Sequence, residues 1–439
     1  MFTQLAQIIG KLTRYSSQKL KKGRGEAAPG LIALAIDPNF IANKHRSIPT
    51  RILITGTNGK TTTTNLVNQI LKSNRLNPIS NLNGSNLKRG IASALLSYKN
   101  QPVAVWECDE ADFVHIAPQV KPTHLILNNI FRDQLDRYGE INSILDKWQQ
   151  TLSQIPSCHI LVNADDPNLN FLSQKLNHHQ LFNLSLSSPK SGSLDLSADA
   201  IFCPRCQKPL NYSHLNFSHL GQYSCSCGFK SPHPHFTLTQ IKFKNSLTSF
   251  VITHNHKQFK LTTKLKGEYN LYNILAAFSL ASILNLDPQI CLKTIADFKA
   301  IKGRQEIIKY KNKQIHFYLV KNPTGFNQVI TTLKSDHKHI NCLLALNDNL
   351  ADGTDISWIW DVDFDSLVSF TQKIIVTGSR RDDLALRLKY ANCPAHKYQV
   401  IKNYDQAIQA LITQNSTNLY ILPTYTALWP IRKIIKDQS

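Results

Sequence analysis

The sequence predicts an α/β protein with a mostly parallel sheet around a glycine-bracketed turn, a small cysteine-rich insert, and a second α/β unit towards the C-terminus. Three observations carry that expectation. An apolar β-type run, Arg51 to Ile54, feeds the glycine-bracketed turn Thr55-Gly-Thr-Asn-Gly-Lys-Thr61, which opens a helical pattern over Thr62 to Lys72 with Leu66, Ile70 and Leu71 at helical spacing. Apolar runs then alternate with helical stretches, the pattern of a doubly wound parallel sheet. Finally, Cys203-Pro-Arg-Cys206 and Cys225-Ser-Cys227-Gly228 are separated by 18 residues rich in polar and turn-forming types.

Composition narrows the class. A chain of 439 residues accommodates two or three domains with their own cores, and 42% hydrophobic residues is ordinary for a water-soluble protein. No run approaches the roughly 18 apolar residues that span a bilayer. Met1 to Gly25 alternates apolar and basic residues without a cleavage site, so it reads as an amphipathic basic helix resting on a domain or on anionic lipid, not as a secretory signal. The net charge is +21, but the lysines are spread along the whole chain. An acidic substrate, an acidic partner or an anionic membrane accounts for that spread, and no nucleic-acid partner is expected. Of nine cysteines, five (Cys108, Cys158, Cys291, Cys342, Cys393) are isolated and read as buried thiols of a reducing compartment, which points to the cytoplasm.

Taken in order, residues 1–48 form a basic leader that ends in the turn signals Pro29-Gly30 and Ile36-Asp-Pro38. The turn at 55–61 follows. A strand, a glycine turn and a helix start make an anion site, because backbone N–H groups and the helix dipole both face the phosphate. Gly56, Thr57, Asn58, Gly59, Lys60, Thr61 and Thr62 are therefore the expected ATP-binding residues, with Lys60 on the terminal phosphates and the Thr61 hydroxyl on magnesium. Ile54 stands where the first glycine of a Walker motif would be; the alternative, a hairpin with Asn58-Gly59 at its tip, gives the Lys-Thr-Thr helix start no role. Asn81 to Gly90 reads as a loop near the site, and Pro102 to Glu107 as a buried strand ending in the acid run Glu107 to Asp112. Carboxylates at the C-terminal end of a parallel strand lie where α/β sheets bind ligands, so Glu107 is the expected second magnesium ligand; a solvated acidic loop is the bland alternative. His124 to Asn129 and Cys158 to Asn163 are further strands.

Residues 185–235 break the alternation. Cys203, Cys206, Cys225 and Cys227 have the grouping of a four-thiolate zinc knuckle, and Gly228 suits the tight turn that the second pair needs. Four thiolates close a zinc shell although His214, His219, His233 and His235 lie nearby, so the metal reads as structural, stapling a ribbon too small to own a core. The sheet resumes from Phe236 with two strand runs, Ser249 to Thr253 and Phe259 to Leu265. The helix opened by Gly267-Glu-Tyr-Asn-Leu-Tyr-Asn273 follows.

The turn Thr55 to Thr61 resembles the P-loop of the Mur ligases and folylpolyglutamate synthases, which form amide bonds after phosphorylating a carboxylate with ATP. That resemblance implies a metal-binding role for Glu107 and a pair of asparagines, Asn270 and Asn273, over the nucleotide, where helix capping alone would explain one. It also implies that Arg304, in Ile301-Lys-Gly-Arg-Gln-Glu306, reaches the ATP phosphates across a domain boundary. Where many relatives carry Asp-His this chain has Asp133-Gln134, and no carbamylated lysine is matched, so a second metal held in the usual way does not carry over.

The C-terminal third resembles one branch. Lys321-Asn-Pro-Thr-Gly-Phe-Asn327, the run Ala345 to Asp361 containing Asp-Gly-x-Asp-x-Ser-Trp-Ile-Trp-Asp, Gly378 to Tyr390 and Leu422 to Leu428 are similar to the MurT family, synthetase subunits of lipid II isoglutaminyl synthase, and the similarity covers nearly the whole chain. The resemblance implies a heterodimer with a GatD-type glutaminase, and ATP-dependent amidation of the D-glutamate α-carboxylate of the lipid II stem peptide. It implies residence in the cytoplasm or at the inner face of the plasma membrane. In that chemistry Asp355 positions or deprotonates ammonia, Asp352 is the less favoured holder of the role, and Lys321 balances the charge of an acyl phosphate. The expected organisation is a leader over 1–48, a Mur-ligase-type P-loop domain over 49–300 with the zinc ribbon inserted at 200–232, and a C-terminal α/β domain over 301–439. An amino-acid-adding ligase of the same superfamily and a nucleic-acid-dependent ATPase are the rival readings.

Overall fold

The computed structural model describes residues 2–19, 27–82, 84–133, 140–187, 194, 197–244, 247–299, 301–336 and 339–438. Three helices come first, α1 (Phe2–Lys19), α2 (Ala28–Ile36) and α3 (Phe40–His45). Strands and helices then alternate: β1 (Thr50–Thr55), α4 (Lys60–Ser73), β2 (Ile79–Ser80), α5 (Lys88–Leu95), β3 (Val103–Glu107), α6 (Phe113–Val120), β4 (His124–Leu127), α7 (Ile141–Gln154), β5 (His159–Asn163), α8 (Pro167–Ser173) and β6 (Gln180–Leu186). The hairpin β7 (Asn211–Phe217) and β8 (Leu220–Ser224) leads to β9 (Phe236–Lys244), β10 (Leu247–His254) and β11 (Lys257–Thr263), then α9 (Glu268–Ile283) and α10 (Pro288–Ala296).

These strands form a nine-stranded sheet in the order β11-β10-β9-β6-β5-β4-β1-β3-β2. From β2 to β9 every pairing is parallel, and only β10 runs against its neighbours. The sequence shows two strand runs after Phe236; β9 is a third, with Phe236, Leu238 and Ile241 turned inward. Leu184 of β6 lies opposite Phe236 of β9, so the cysteine hairpin occupies the crossover between two parallel neighbours.

Both faces of the sheet are covered, which is why its strands read as continuous apolar runs. Side chains alternate across a strand. Leu53 and Trp106 therefore enter one core, with α5 to α7, while Ile52, Ile54 and Val105 enter the other, with α4, α9 and α10. The first core also takes Ala6, Ala33, Phe40 and Ile41, so the N-terminal helices pack on the main sheet.

A second sheet follows. Its elements are β12 (Arg304–Tyr310), β13 (Lys313–Tyr318), α11 (Pro323–Asp336), β14 (Ile340–Ala345), a 3-10 turn (Ser357–Asp361), α12 (Phe364–Phe370), β15 (Thr371–Thr377), α13 (Arg381–Tyr390), β16 (Tyr398–Val400), α14 (Tyr404–Ile412), β17 (Asn418–Pro423) and α15 (Tyr425–Asp437). The order is β12-β13-β17-β14-β15-β16, parallel except for the β12–β13 hairpin. The ends of β13, β17 and β14 share one edge, so the segments at Lys321, Thr424 and Asn347 leave the sheet side by side. Among the described residues no helix is long and apolar enough to cross a membrane.

His45 ties the N-terminal helices to the sheet. Its Nε2 accepts the Trp106 indole N–H at 2.7 Å and its Nδ1 lies 2.7 Å from the Ile41 carbonyl, an arrangement that needs a neutral ring. Burial pushes its pKa down to about 4. An unfolded histidine takes a proton near pH 6.5, so this contribution is complete above that value and is lost as the pH falls towards 4. Unfolding free energy measured by denaturant titration should fall by about 3 kcal/mol across that window, and the His45→Gln variant should lose that share of the slope.

Candidate active site

The turn after β1 is clamped from three sides. The backbone N–H of Thr57 donates to the Asn129 carbonyl at 3.0 Å, and that of Asn58 to the Asn129 side chain at 2.9 Å. The Thr57 hydroxyl donates to Phe131 O at 3.1 Å, so the segment after β4 sets the shape of the loop. Gly59 has φ +83°, and a Cβ there would come within 2.1 Å of Asn273 Oδ1. Only glycine fits. Asn273 also accepts the Thr63 hydroxyl at 3.2 Å and donates to Asn270, whose amide donates to Lys266 O at 2.8 Å. Asn273 thus holds α9 against the P-loop helix and Asn270 braces Asn273 from within the motif, while the helix cap itself is Gly267.

Charge converges on this turn. The Lys60 ammonium is buried and donates to Gly56 O at 2.5 Å, to Thr57 O at 3.2 Å and to Glu110 Oε2 at 2.6 Å. Burial works against its charge, but Glu110, Asp109 and Glu107 outweigh that and raise its pKa. Burial raises Glu110 as well, against the opposing pull of Lys60 and Lys321. Glu110 lies in the acid run that drew attention to Glu107, and nothing in its spacing singles it out as the partner of Lys60. At the end of β3, Glu107 Oε1 accepts the Thr61 hydroxyl at 3.1 Å, and Asn81 pins the Glu107 backbone through bonds of 2.9 Å on both sides. Two hard oxygen donors meet there, the donor set that magnesium takes.

The second sheet reaches over the same turn. Asn322 donates to Asn58 Oδ1 at 3.0 Å, and Lys321 pairs with buried Asp133. Gln134, beside Asp133, lies outside the described residues. Arg304 opens β12 and lines a cleft that runs between the sheets from Asn58, Gly59 and Thr62 to Asn270, Asn273, Tyr269, Tyr272 and Phe217. Burial lowers the Arg304 pKa, with Glu107 opposing, which puts the guanidinium in the field of the magnesium-type pair.

The two aspartates of the third segment sit elsewhere. Asp352 is buried and accepts the Thr426 backbone N–H at 2.8 Å as well as the Thr426 hydroxyl, tying the loop after β14 to the start of α15. Burial raises its pKa. Asp355 accepts the backbone N–H and the hydroxyl of Ser357 at 2.8 and 2.9 Å, heading the 3-10 turn. Among the described residues that line the cleft, neither aspartate appears. The 3-10 turn is nevertheless linked to the P-loop side, because Arg132, which pairs with Asp199, also lies 3.5 Å from Asp361.

The four grouped cysteines converge. All four Sγ atoms lie within 4.8 Å of one another, with Cys203–Cys227 at 3.7 Å and Cys206–Cys225 at 3.5 Å. Zinc–sulfur bonds of about 2.3 Å in a tetrahedron place sulfurs about 3.8 Å apart, so the cluster fits a zinc ion. The backbone N–H of Cys227 and the neighbouring thiols hold the Cys225 thiol down to about 6. At its other end the hairpin enters the cleft wall. Asn216 donates to the Tyr272 hydroxyl at 2.8 Å, that hydroxyl donates to buried Asp165 at 2.7 Å, and Phe217 and Tyr272 both line the cleft.

Comparison with known proteins finds relatives that cover the whole chain. The Mur ligase middle domain model matches residues 54–208, and the MurT ligase C-terminal model matches residues 319–428. The lipid II isoglutaminyl synthase (glutamine-hydrolyzing) subunit MurT of Streptococcus pneumoniae is 32% identical over 444 residues, covering 100% of this chain and 98% of the relative. The same subunit of Staphylococcus aureus is 31% identical, covering 96% of this chain and 95% of the relative. A pseudomurein peptide ligase type C from Methanothermus fervidus superposes with a TM-score of 0.69 at 23% identity, over 89% of this chain and 79% of that one. The MurF ligase of Thermotoga maritima in complex with ADP gives 0.66 at 14% identity, over 92% and 84%. These two structures share the fold.

Two outcomes follow from the geometry. Gly59→Ala forces a side chain onto Asn273 and should weaken ATP binding about tenfold or more in a nucleotide titration, with the fold retained by circular dichroism. Metal analysis should find zinc bound to the purified chain. Cys225→Ser should then lower Tm and weaken nucleotide binding together, because the hairpin that the metal closes also carries Phe217.

Proposed function

The chain belongs to the MurT family, whose named members are subunits of a glutamine-hydrolyzing lipid II isoglutaminyl synthase, and from that premise we propose that it is the ATP-using subunit that amidates the D-glutamate α-carboxylate of the lipid II stem peptide. It is a ligase of peptidoglycan synthesis. The observation that carries the reading is that the turn holding Lys60 on Glu110 and Thr61 on Glu107 opens, through Asn58, Gly59 and Thr62, onto a cleft that Arg304 lines from the second α/β unit.

The chemistry divides among these residues. The turn amides and the start of α4 cradle the ATP phosphates, and Lys60 trades the carbonyls of Gly56 and Thr57 for phosphate oxygens. Thr61 and Glu107 would hold magnesium, which supplies charge neutralisation on those oxygens. Arg304 approaches from the second unit with a planar fork suited to phosphate. A substrate carboxylate oxygen attacks the γ-phosphorus and ADP leaves, giving an acyl phosphate. Ammonia then attacks the carbonyl carbon, the C–O bond breaks, phosphate departs with its electron pair, and a base takes one proton from nitrogen. Asp355 is the base in this reading, in the loop that leaves β14 at the same end of the second sheet where Lys321 follows β13, and Lys321 offsets negative charge near Glu110. Asp352, buried on Thr426, holds the loop in place.

Ammonia comes from a partner, a GatD-type glutaminase. A nucleophilic cysteine needs an accessible thiolate. The five isolated cysteines are buried, with Cys158 pushed up to about 12 by burial, and the other four form the metal cluster.

With ATP and glutamine, lipid II should be amidated only when a GatD-type glutaminase is added, and ammonium chloride should replace that partner. Ligation of an added amino acid in place of amidation would assign the chain to the ordinary Mur ligases. Asp355→Asn should lower kcat by about two orders of magnitude or more while leaving nucleotide affinity and partner binding unchanged; normal amidation by this variant would remove Asp355 from the mechanism.

A further inference from the structure

We propose that the outward face of α1 docks on an anionic lipid surface. The proposal rests on the reading above only in taking the substrate to be lipid-linked; the face itself is defined by packing and charge. α1 turns its small residues inward. Ala6 and Gly10 are buried, and a Cβ on Gly10 would come within 2.7 Å of Leu96. Polar bonds complete that side: the Thr3 hydroxyl donates to Asp37 at 2.6 Å, Lys44 donates to Gln7 at 2.6 Å, and Arg14 donates to Ser97 Oγ at 2.5 Å and to the Ser93 carbonyl.

The large apolar side chains face away from the protein. Phe2, Leu5, Ile8, Leu12 and Tyr15 are 64%, 45%, 58%, 61% and 66% exposed. Spaced three or four residues apart, they form one stripe along an 18-residue helix of about 27 Å. A helix whose only task was to close the core would be oriented the other way. Scattered exposed apolar residues are common, whereas a continuous stripe of this length marks a contact surface.

Charge selects the occupant. Within the first 25 residues stand Lys11, Arg14, Lys19, Lys21, Lys22 and Arg24, and the first acidic residue of the chain is Glu26. Lys11 and Lys19 are exposed beside the stripe. The interior of a protein interface is depleted of charge, while a basic helix with one apolar face matches the boundary between phosphate headgroups and acyl chains. No described helix crosses a membrane, so α1 would lie in the plane of the surface. There it would keep the protein on the surface that holds a substrate unable to leave the bilayer.

The test is flotation of the full chain with vesicles of phosphatidylcholine alone and of phosphatidylcholine with phosphatidylglycerol. Binding is expected only to the anionic vesicles, to fall with added salt, and to drop about tenfold or more in the L5S/I8S/L12S variant and in K11E/K19E. Amidation of lipid II embedded in those vesicles should fall in parallel, while ATP binding and amidation of a water-soluble stem-peptide substrate stay unchanged. No vesicle binding by the wild-type chain, or equal binding by both variants, overturns the proposal. Loss of glutaminase co-purification in the triple variant, with vesicle binding intact, assigns the stripe to the partner protein and overturns it too. Vesicle binding without amidation of any substrate would sink the functional reading and leave the docking surface standing.

Discussion

The site is built around one buried cation. Taking the Lys60 ammonium out of water costs several kcal/mol unless its charge is met by good geometry, and Glu110 with two P-loop carbonyls supplies that. The requirement fixes more than one side chain. Glu110 must be delivered by the segment after β3, and its carbonyl is in turn held by the Trp148 indole of α7 at 2.9 Å. The loop after β4 clamps Thr57 and Asn58, α9 closes on Gly59, and the second sheet reaches Asn58 through Asn322. Strand ends from both sheets are thus brought to one place, where a triphosphate would find a preformed set of donors.

The cysteine hairpin solves a different problem. Its own core amounts to Cys203, Leu210, Tyr223 and Phe229, too little apolar burial to hold a fold. Four thiolates at metal-site spacing staple one end, and the other end is fixed by the Asn216–Tyr272–Asp165 network against the cleft. Burial pushes Asp165 up to about 6, and its carboxylate is stabilised in return by the Tyr272 and Ser185 hydroxyls and the Leu186 N–H. The insert therefore works as a strut between the cysteine cluster and the cleft wall, placed there because β6 and β9 are neighbours although about fifty residues separate them in the chain.

α1 adds a third constraint, set by what lies outside the protein. Its inward side makes room for Leu96 and spends hydrogen bonds on Ser93, Ser97 and Asp37, which leaves the apolar stripe to whatever the protein rests on. A basic leader is visible in the sequence. Which face of it is free depends on α2, α5 and Leu96, and these meet α1 only in the folded chain.

By itself the sequence determined the local chemistry. The strand, the glycine turn and the Lys-Thr start of α4 were legible because each depends on neighbours within a few residues, as were the parallel runs and the two cysteine pairs. The glycine at position 59 and the pair Asn270 and Asn273 were legible as motifs, but their reason, an Asn273 side chain braced by Asn270 and packed where a Cβ of residue 59 would be, was not. Tertiary structure alone decided that Glu110 faces Lys60, that Lys321 meets Asp133 across 188 positions, that Phe217 of the ribbon lines the cleft between the sheets, and that Asp352 caps α15. Hydrogen bonds and ion pairs act over a few ångströms, and separation along the chain does not encode which distant side chains come that close. Only the packing of both sheets does.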